Sequence, residues 1–131
     1  AWELLAPQLR DGDVTTRRML AAAMVHCQDL KGCRLLVTAL SDSDPQVRLH
    51  AVEGLRWCRT ADAVAPLITA LRDEDPDVAA GAAALLGEKH RPEALPELRW
   101  VAEHDRRRTG DGETVAAVAR RAIREIEETL G

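Results

Sequence analysis

The chain has 131 residues, enough for one domain with a real core, and it contains no Phe and no Tyr. Its apolar residues are mostly Ala, Leu and Val, which favours helices that pack closely through small side chains over long strands. The formal net charge of −4 argues against nucleic acid as a partner, because duplex binding depends on a basic face.

The chain has three cysteines, Cys27, Cys33 and Cys58, an odd number whose spacing does not suggest a compact disulfide framework. We therefore expect buried free thiols and a reducing, cytoplasmic compartment. A disulfide is one alternative, and a metal site of His26 and His50 with Cys27 or Cys58 is the other. Zinc ligands usually come in closely spaced pairs, which this chain lacks, so we expect no metal and no cofactor. No apolar run approaches the roughly 20 residues that would span a membrane.

The predicted elements follow from a repeat. Residues 36–48 return as residues 67–79 at an offset of 31, with eight of thirteen positions identical and no gap. A period in this range predicts stacked helical repeats. We place four of them in one domain, at about 1–28, 29–59, 60–90 and 91–131.

Within each repeat a short helix precedes a second helix with a marked start. The short amphipathic helices are predicted at about 1–10, 31–40, 61–71 and 92–103. Asp13, Asp44 and Asp75 lie one period apart and suit helix N-caps, and Pro45 and Pro76 suit the first helical position. The second helices should run from these caps to about 27, 58 and 88. A polar insertion at about 103–112 then precedes the last helix.

The sequence Asp-x-Asp-Pro-x-Val-Arg at 42–48, followed by Ala-x-x-x-Leu at 51–55, resembles HEAT repeats. It is most similar to the compact 31-residue class also seen in phycobilin lyase subunits. The resemblance covers nearly the whole chain and implies an all-α superhelix, or solenoid, of about four helix pairs. Because the first helix matches only the later part of its counterparts, we expect the chain to be a segment of a larger protein.

The resemblance also implies a ladder between repeats, formed by the turn aspartate and an arginine of the second helix. Asp13 with Arg17, and Asp44 with Arg48, match those positions. Ala79 and Ala116 replace the arginine in the last two repeats. The ladder should therefore stop halfway, with altered curvature or looser stacking in the second half.

In the family the second helices line the concave face, where partners usually bind. If the apolar positions of these helices that recur at the repeat period, such as Val47, Ala51 and Leu55, face the core, helical spacing predicts an exposed stripe on the opposite side. Its apolar members are not needed in the core, and exposed apolar patches often mark interaction sites. The predicted partner-binding residues are Arg18, Met19, His26, Leu49, His50, Glu53, Arg56 and Trp57. The stripe should continue through Ala80, Gly81, Ala84, Gly87 and Glu88 of the third repeat, and then through Val118, Arg121, Arg124 and Glu125 of the fourth.

Two alternatives compete with this interpretation. Trp57 ends a helix, where it is also placed to pack locally or against a neighbouring segment. Arg106, Arg107 and Arg108 form a basic run that either contacts an anion or is simply solvated.

The functional hypothesis is a non-catalytic scaffold or recognition module that binds a protein or peptide. The chain shows no catalytic motif, so we do not expect an enzyme. The second hypothesis is an accessory or lyase-type subunit that holds a small ligand in the groove. Nucleic-acid binding comes third.

Overall fold

The computed structural model describes residues 2–26, 29–59 and 61–130. Within these ranges the chain is all-α, as predicted, with two short 3-10 turns at Ala61–Ala63 and Pro92–Ala94 and one isolated β-bridge between Arg108 and Thr114. The helices are α1 Trp2–Asp11, α2 Val14–Ala23, α3 Leu30–Ala39, α4 Pro45–Leu55, α5 Val64–Ala70, α6 Pro76–Glu88, α7 Leu95–His104 and α8 Val115–Leu130. They form two compact units, unit 1 (Ala1–Ala63) and unit 2 (Val64–Gly131).

The three predicted N-caps are confirmed. Asp13, Asp44 and Asp75 precede α2, α4 and α6, and each side chain accepts a hydrogen bond from a backbone N–H of the first turn. Pro45 and Pro76 occupy the first helical position, where no amide hydrogen is needed. Two helices end earlier than predicted, α2 by four residues and α4 by three.

In unit 1 the helices pair as stacked repeats do. The first helices α1 and α3 are neighbours, and so are the second helices α2 and α4. Gly54 lets α4 approach closely, since a Cβ there would lie 2.7 Å from Cδ1 of Leu36 and 3.3 Å from Cα of Val25. The fully buried large side chains of this unit are Leu36, Val47 and Leu55.

The cysteines of unit 1 contradict the expectation of free thiols. Cys33 in α3 and Cys58 after α4 are joined by a disulfide, and both are almost fully buried. The repeat alignment missed this pair because it compares like positions one period apart, whereas the bond joins a first helix to the end of the second helix of the same repeat. The premise of a reducing compartment therefore fails for this pair. Cys27 lies outside the described residues.

In unit 2 the packing is closer than expected. A Cβ on Gly87 would lie 2.8 Å from Cα and 2.9 Å from Cβ of Ala122, so α6 and α8 meet nearly backbone to backbone. Small residues make this close approach possible, and the dispersion contacts between the two helices stabilise it. The looser stacking predicted for the second half is not seen within this unit. Ala80, Gly87 and Val118 are buried as a result, so the predicted exposed stripe does not continue through them.

A ladder between the first two repeats is present, with a different aspartate. Arg17 donates from Nε and Nη2 to the carboxylate of Asp42 at 2.9 and 3.2 Å, and from Nη1 to the carbonyl of Gly12 at 2.6 Å. Arg48 donates from Nη1 to the carbonyl of Asp42 at 2.8 Å. Of the predicted ladder aspartates, Asp13 caps α2, whereas Asp44 caps α4 and also binds Arg18 of the preceding repeat.

Candidate functional site

The contact between Trp57 and His26 is the centre of the predicted stripe. Their ring centroids lie 6.0 Å apart with an interplanar angle of 49°. The two residues are one repeat period apart, as the sequence predicted for neighbours on adjacent second helices. Trp57 keeps 46% of its surface exposed, and His26 is exposed as well. A large aromatic side chain therefore stands at the surface beside a second ring.

Backbone hydrogen bonds and the neighbouring disulfide fix the backbone at Trp57. After α4 ends, Arg56, Trp57 and Cys58 donate backbone hydrogen bonds to the carbonyls three residues before them, at 3.2 to 3.3 Å. Cys58 is then tied to α3 by the disulfide. Together with the close approach at Gly54, these bonds hold the segment that carries Trp57 against the end of α2.

We define the Trp57 surface as the eight predicted partner-binding residues of unit 1. Met19 is 66% exposed, and Glu53 and Arg56 are exposed too. Leu49 and His50 are half-buried, and His50 Nδ1 lies 3.5 Å from a carboxylate oxygen of Glu53. The strongest apolar exposure is thus at Met19 and Trp57, with Leu49 contributing less than its sequence position suggested.

Arg18 has a structural partner. Its guanidinium makes two hydrogen bonds to the carboxylate of Asp44, from Nε at 2.9 Å and from Nη2 at 2.7 Å. This bidentate pair joins α2 to the N-cap of α4. The bonds from Arg18, followed by the amide of Val47, lower the pKa of the buried Asp44 carboxyl to about 2. Arg18 therefore stabilises the junction between the first two repeats, and this contact does not depend on a partner.

We expect Asp44→Asn to lower the free energy of unfolding of unit 1 by about 1 kcal/mol at neutral pH. Asn caps helices as well as Asp does, so the change isolates the ion pair. Because the folded-state pKa of about 2 lies below the 3.8 of an unperturbed aspartate, the ionised carboxylate stabilises the fold above about pH 4. That stabilisation disappears as the pH falls towards 2.

The measurement is urea denaturation of both proteins between pH 7 and pH 2. The difference between wild type and variant should close across the lower part of this range. Asp13→Asn is the matched control, since the Asp13 carboxylate caps α2 without an arginine pair like that of Asp44. A difference that stays constant with pH would show that the ion pair is not its source.

Sequence reasoning missed one residue beside the site. Arg59 is exposed two residues after Trp57. Helical spacing did not include it because it lies beyond the end predicted for that helix, at about residue 58. Its signal in the sequence is the basic pair that brackets Trp57 and Cys58, formed by Arg56 and Arg59.

Two cavities, one in each unit, are lined by residues outside the Trp57 surface. In unit 1 a cavity of about 490 Å³ is lined by residues of α1 and α3 with the following turn, among them Leu9, Leu35, Ser41 and Asp42. In unit 2 a recess of about 310 Å³ lies beside Trp100 and His104. Neither is lined by a residue of the Trp57 surface.

The basic run of unit 2 divides into three different environments. Arg106 is exposed and borders the recess of unit 2, so an anion contact there stays a prediction. Arg108 donates from Nη1 to the carbonyl of Gly112 at 2.6 Å and closes the inserted loop. Arg107 is committed to the fold through four acceptors.

Arg107 supplies the contacts of the missing ladder arginine. Its Nη1 and Nη2 donate to the carbonyls of Glu74 and Asp73 at 2.7 and 2.9 Å. Asp73 is one period after Asp42, the carbonyl partner of Arg48, and Glu74 is two periods after the carbonyl partner of Arg17. Arg107 also holds the carboxylate of Asp105 from Nε and Nη2, at 2.9 and 2.7 Å, as Arg17 holds Asp42. The ladder that the sequence predicted to stop at Ala79 thus continues within unit 2 from the inserted loop.

We expect Arg107→Ala to lower the free energy of unfolding of unit 2 by about 2 kcal/mol. The change leaves the buried carboxylate of Asp105 without its cation, and the guanidinium is the main reason that the pKa of this carboxyl lies below its usual value. Urea denaturation measures the loss. Arg106→Ala is the neighbouring control, and its exposed position predicts a change within about 0.5 kcal/mol. Equal effects of the two variants would contradict the ladder role.

A metal centre finds little support in these positions. The Sγ of Cys58 is bonded to Cys33, so this residue cannot act as a thiolate ligand in the oxidised chain. Among the residues that the structure describes, no group of three or more His, Cys, Asp or Glu side chains is placed to hold an ion. In the same part of the chain, no helix has both the length and the apolar character required to cross a membrane.

Comparison with known proteins gives one positive result. The sequence model for HEAT repeats matches residues 3–74, more than half of the chain. No curated protein matches the chain. The match does not extend to the phycobilin lyase-type class in particular. With the stacked helix pairs and the arginine ladder, it shows that this chain belongs to the HEAT-repeat family.

Proposed function

We propose that this chain is a non-catalytic recognition module that binds a protein or peptide partner through the Trp57 surface. The observation that supports it most is an exposed tryptophan, fixed in place and beside His26, in the turns that follow the second helices of adjacent repeats. HEAT repeats commonly serve as protein-interaction scaffolds, which fits this role.

The physical reason lies in how interfaces gain their energy. A few large side chains, Trp and Arg above all, contribute most of the binding free energy when they sit in well-packed surroundings. Trp57 loses little conformational freedom on binding because the disulfide and the close approach at Gly54 already hold its segment. Met19 extends the apolar area along α2.

The test is affinity purification from native cell extract with the wild-type chain and a Trp57→Ala variant, read by mass spectrometry. A partner retained by the wild type should bind the variant at least about 30-fold more weakly, the effect of losing roughly 2 kcal/mol at a central aromatic residue. Trp100→Ala is the control, since Trp100 is exposed to a similar degree but lies in unit 2. If Trp57→Ala stays folded and retains the same proteins with the same affinity, the site assignment is wrong.

The cavity of unit 1 favours a second candidate, an accessory or lyase-type subunit that holds a small ligand. Its volume of about 490 Å³ is in the range of small-molecule sites, and it combines apolar walls with the hydroxyls of Ser41 and Ser43. This role predicts ligand binding that survives Trp57→Ala and is lost when Leu35→Trp fills the cavity.

A further inference from the structure

We infer that the cavity of unit 1 binds a small amphipathic carboxylate, with the carboxylate at the solvent-exposed end of the cavity and an aliphatic tail against its buried walls. The inference rests on the second candidate function, for which it names the class of ligand, and it is independent of the Trp57 surface. It is supported by how polar and apolar side chains are distributed along the cavity and by the hydrogen-bond donors that the fold leaves unused there.

The lining of the cavity changes from polar to apolar with depth. Among the described lining residues, those exposed to solvent are all polar and form its mouth: Arg10, Thr38, Ser41 and Ser43. The apolar lining residues lie deeper, with Leu9 and Ala39 buried and Ala6 and Leu35 half-buried. A ligand that matches this order has one polar end and one apolar end.

The ion pair that lines the cavity is already satisfied within the fold. Asp42 accepts hydrogen bonds from Nε and Nη2 of Arg17 and from the backbone amide of Asp44, the last at 2.9 Å. The remaining Nη1 of Arg17 donates to the carbonyl of Gly12. In the described lining, Asp42 is the one acidic side chain. A cationic ligand would therefore find no unpaired carboxylate in the walls of the cavity.

The mouth, in contrast, has donors to spare. Arg10 uses Nε for the carboxylate of Asp11 at 3.1 Å, and both side chains are largely exposed, so this pair contributes little. Its two Nη groups have no partner in the part of the chain that the structure describes, and neither do the hydroxyls of Ser41 and Ser43. Donors without acceptors favour a ligand whose polar end accepts hydrogen bonds.

The choice of a carboxylate follows from the charges of unit 1. This unit contains eight basic and eight acidic residues, so it has no net positive charge to attract a dianion such as a phosphate monoester. A single guanidinium with two free Nη groups matches a single carboxylate, to which it can make two parallel hydrogen bonds. The selectivity thus comes from the donors at the mouth and does not require a basic surface.

Equilibrium dialysis of the full oxidised chain with isotopically labelled octanoate tests the site. We expect saturable binding with a Kd below about 1 mM, a normal affinity for a ligand of this size. Arg10→Ala should weaken binding at least fivefold, and Leu35→Trp should abolish it by filling the cavity. Arg34→Ala is the matched control, because Arg34 is exposed on the same helix as Leu35 and does not line the cavity. Circular dichroism verifies that each variant is folded.

Two neutral or cationic analogues, octan-1-ol and octylammonium, separate the class of ligand from the existence of the site. Displacement of octanoate by either one as effectively as by unlabelled octanoate overturns the carboxylate and leaves the second candidate function standing. Octanoate binding that Arg10→Ala does not weaken has the same meaning. If neither octanoate nor octan-1-ol binds to the folded chain, both are overturned. Selective octanoate binding that is weakened by Arg10→Ala and retained by Arg34→Ala supports both.

Discussion

Loss of the Cys33–Cys58 disulfide is expected to lower the free energy of unfolding of unit 1 by about 3 kcal/mol. The bond closes a loop with a sequence separation of 25, and a cross-link of that size restricts the unfolded chain by about this amount. Because Cys58 directly follows Trp57, the same change should weaken partner binding by loosening the segment that carries the indole. Urea denaturation with and without a phosphine reductant measures the first effect.

Two controls show whether the loss of stability comes from the disulfide of unit 1. Every cysteine of the chain lies in unit 1, so hydrogen exchange of unit 2 should not respond to the reductant. A Cys33→Ala, Cys58→Ala variant, which lacks the bond, should not respond to the reductant. Identical denaturation curves for oxidised protein and a Cys33→Ala, Cys58→Ala variant would refute a stabilising role for the bond.

We expect Gly87→Ala to lower the free energy of unfolding of unit 2 by about 2 kcal/mol, although alanine is the better helix former. The gain in helix propensity is about 1 kcal/mol. Against it, the added methyl group would lie 2.8 Å from the Cα of Ala122, and a backbone atom in a packed helix cannot move aside as a flexible side chain can. The helices α6 and α8 must separate, which costs contacts along their length.

Thermal denaturation of two glycine variants of α6 tests whether the steric cost at position 87 exceeds the gain in helix propensity. Gly81 lies on the same helix and is partly exposed, so Gly81→Ala should show mainly the propensity gain. Adding Ala122→Gly to Gly87→Ala removes the Cβ contact at 2.9 Å and should recover part of the loss. A stabilised Gly87→Ala protein would mean that the helices separate without cost.

Local chemistry explains why the helix starts were predictable. An aspartate, followed by proline at two of the three starts, fixes an N-cap through contacts within four residues, and this information is wholly contained in the sequence. The contact of Trp57 with His26 was predictable for a related reason. A repeat of constant period places residues one period apart on adjacent helices, so one alignment yields a tertiary neighbour.

The remaining features depend on distances between elements that no local pattern encodes. The disulfide joins a first helix to the end of a second one, and periodicity compares only like positions. The burial of Gly87 follows from how closely α8 approaches α6. Arg18 was predicted as exposed for a partner, but the N-cap carboxylate of the next repeat lies within its reach.

The replacement of the ladder arginine by Arg107 makes two distant positions interdependent. Repeat averaging would recommend arginine at 79, and such consensus changes often stabilise a protein. In this chain, however, Arg107 already donates hydrogen bonds to the carbonyl of Asp73 and to the carboxylate of Asp105. We therefore expect Ala79→Arg to destabilise the chain when it is made alone and to stabilise it only when Arg107 is lost, a case of sign epistasis.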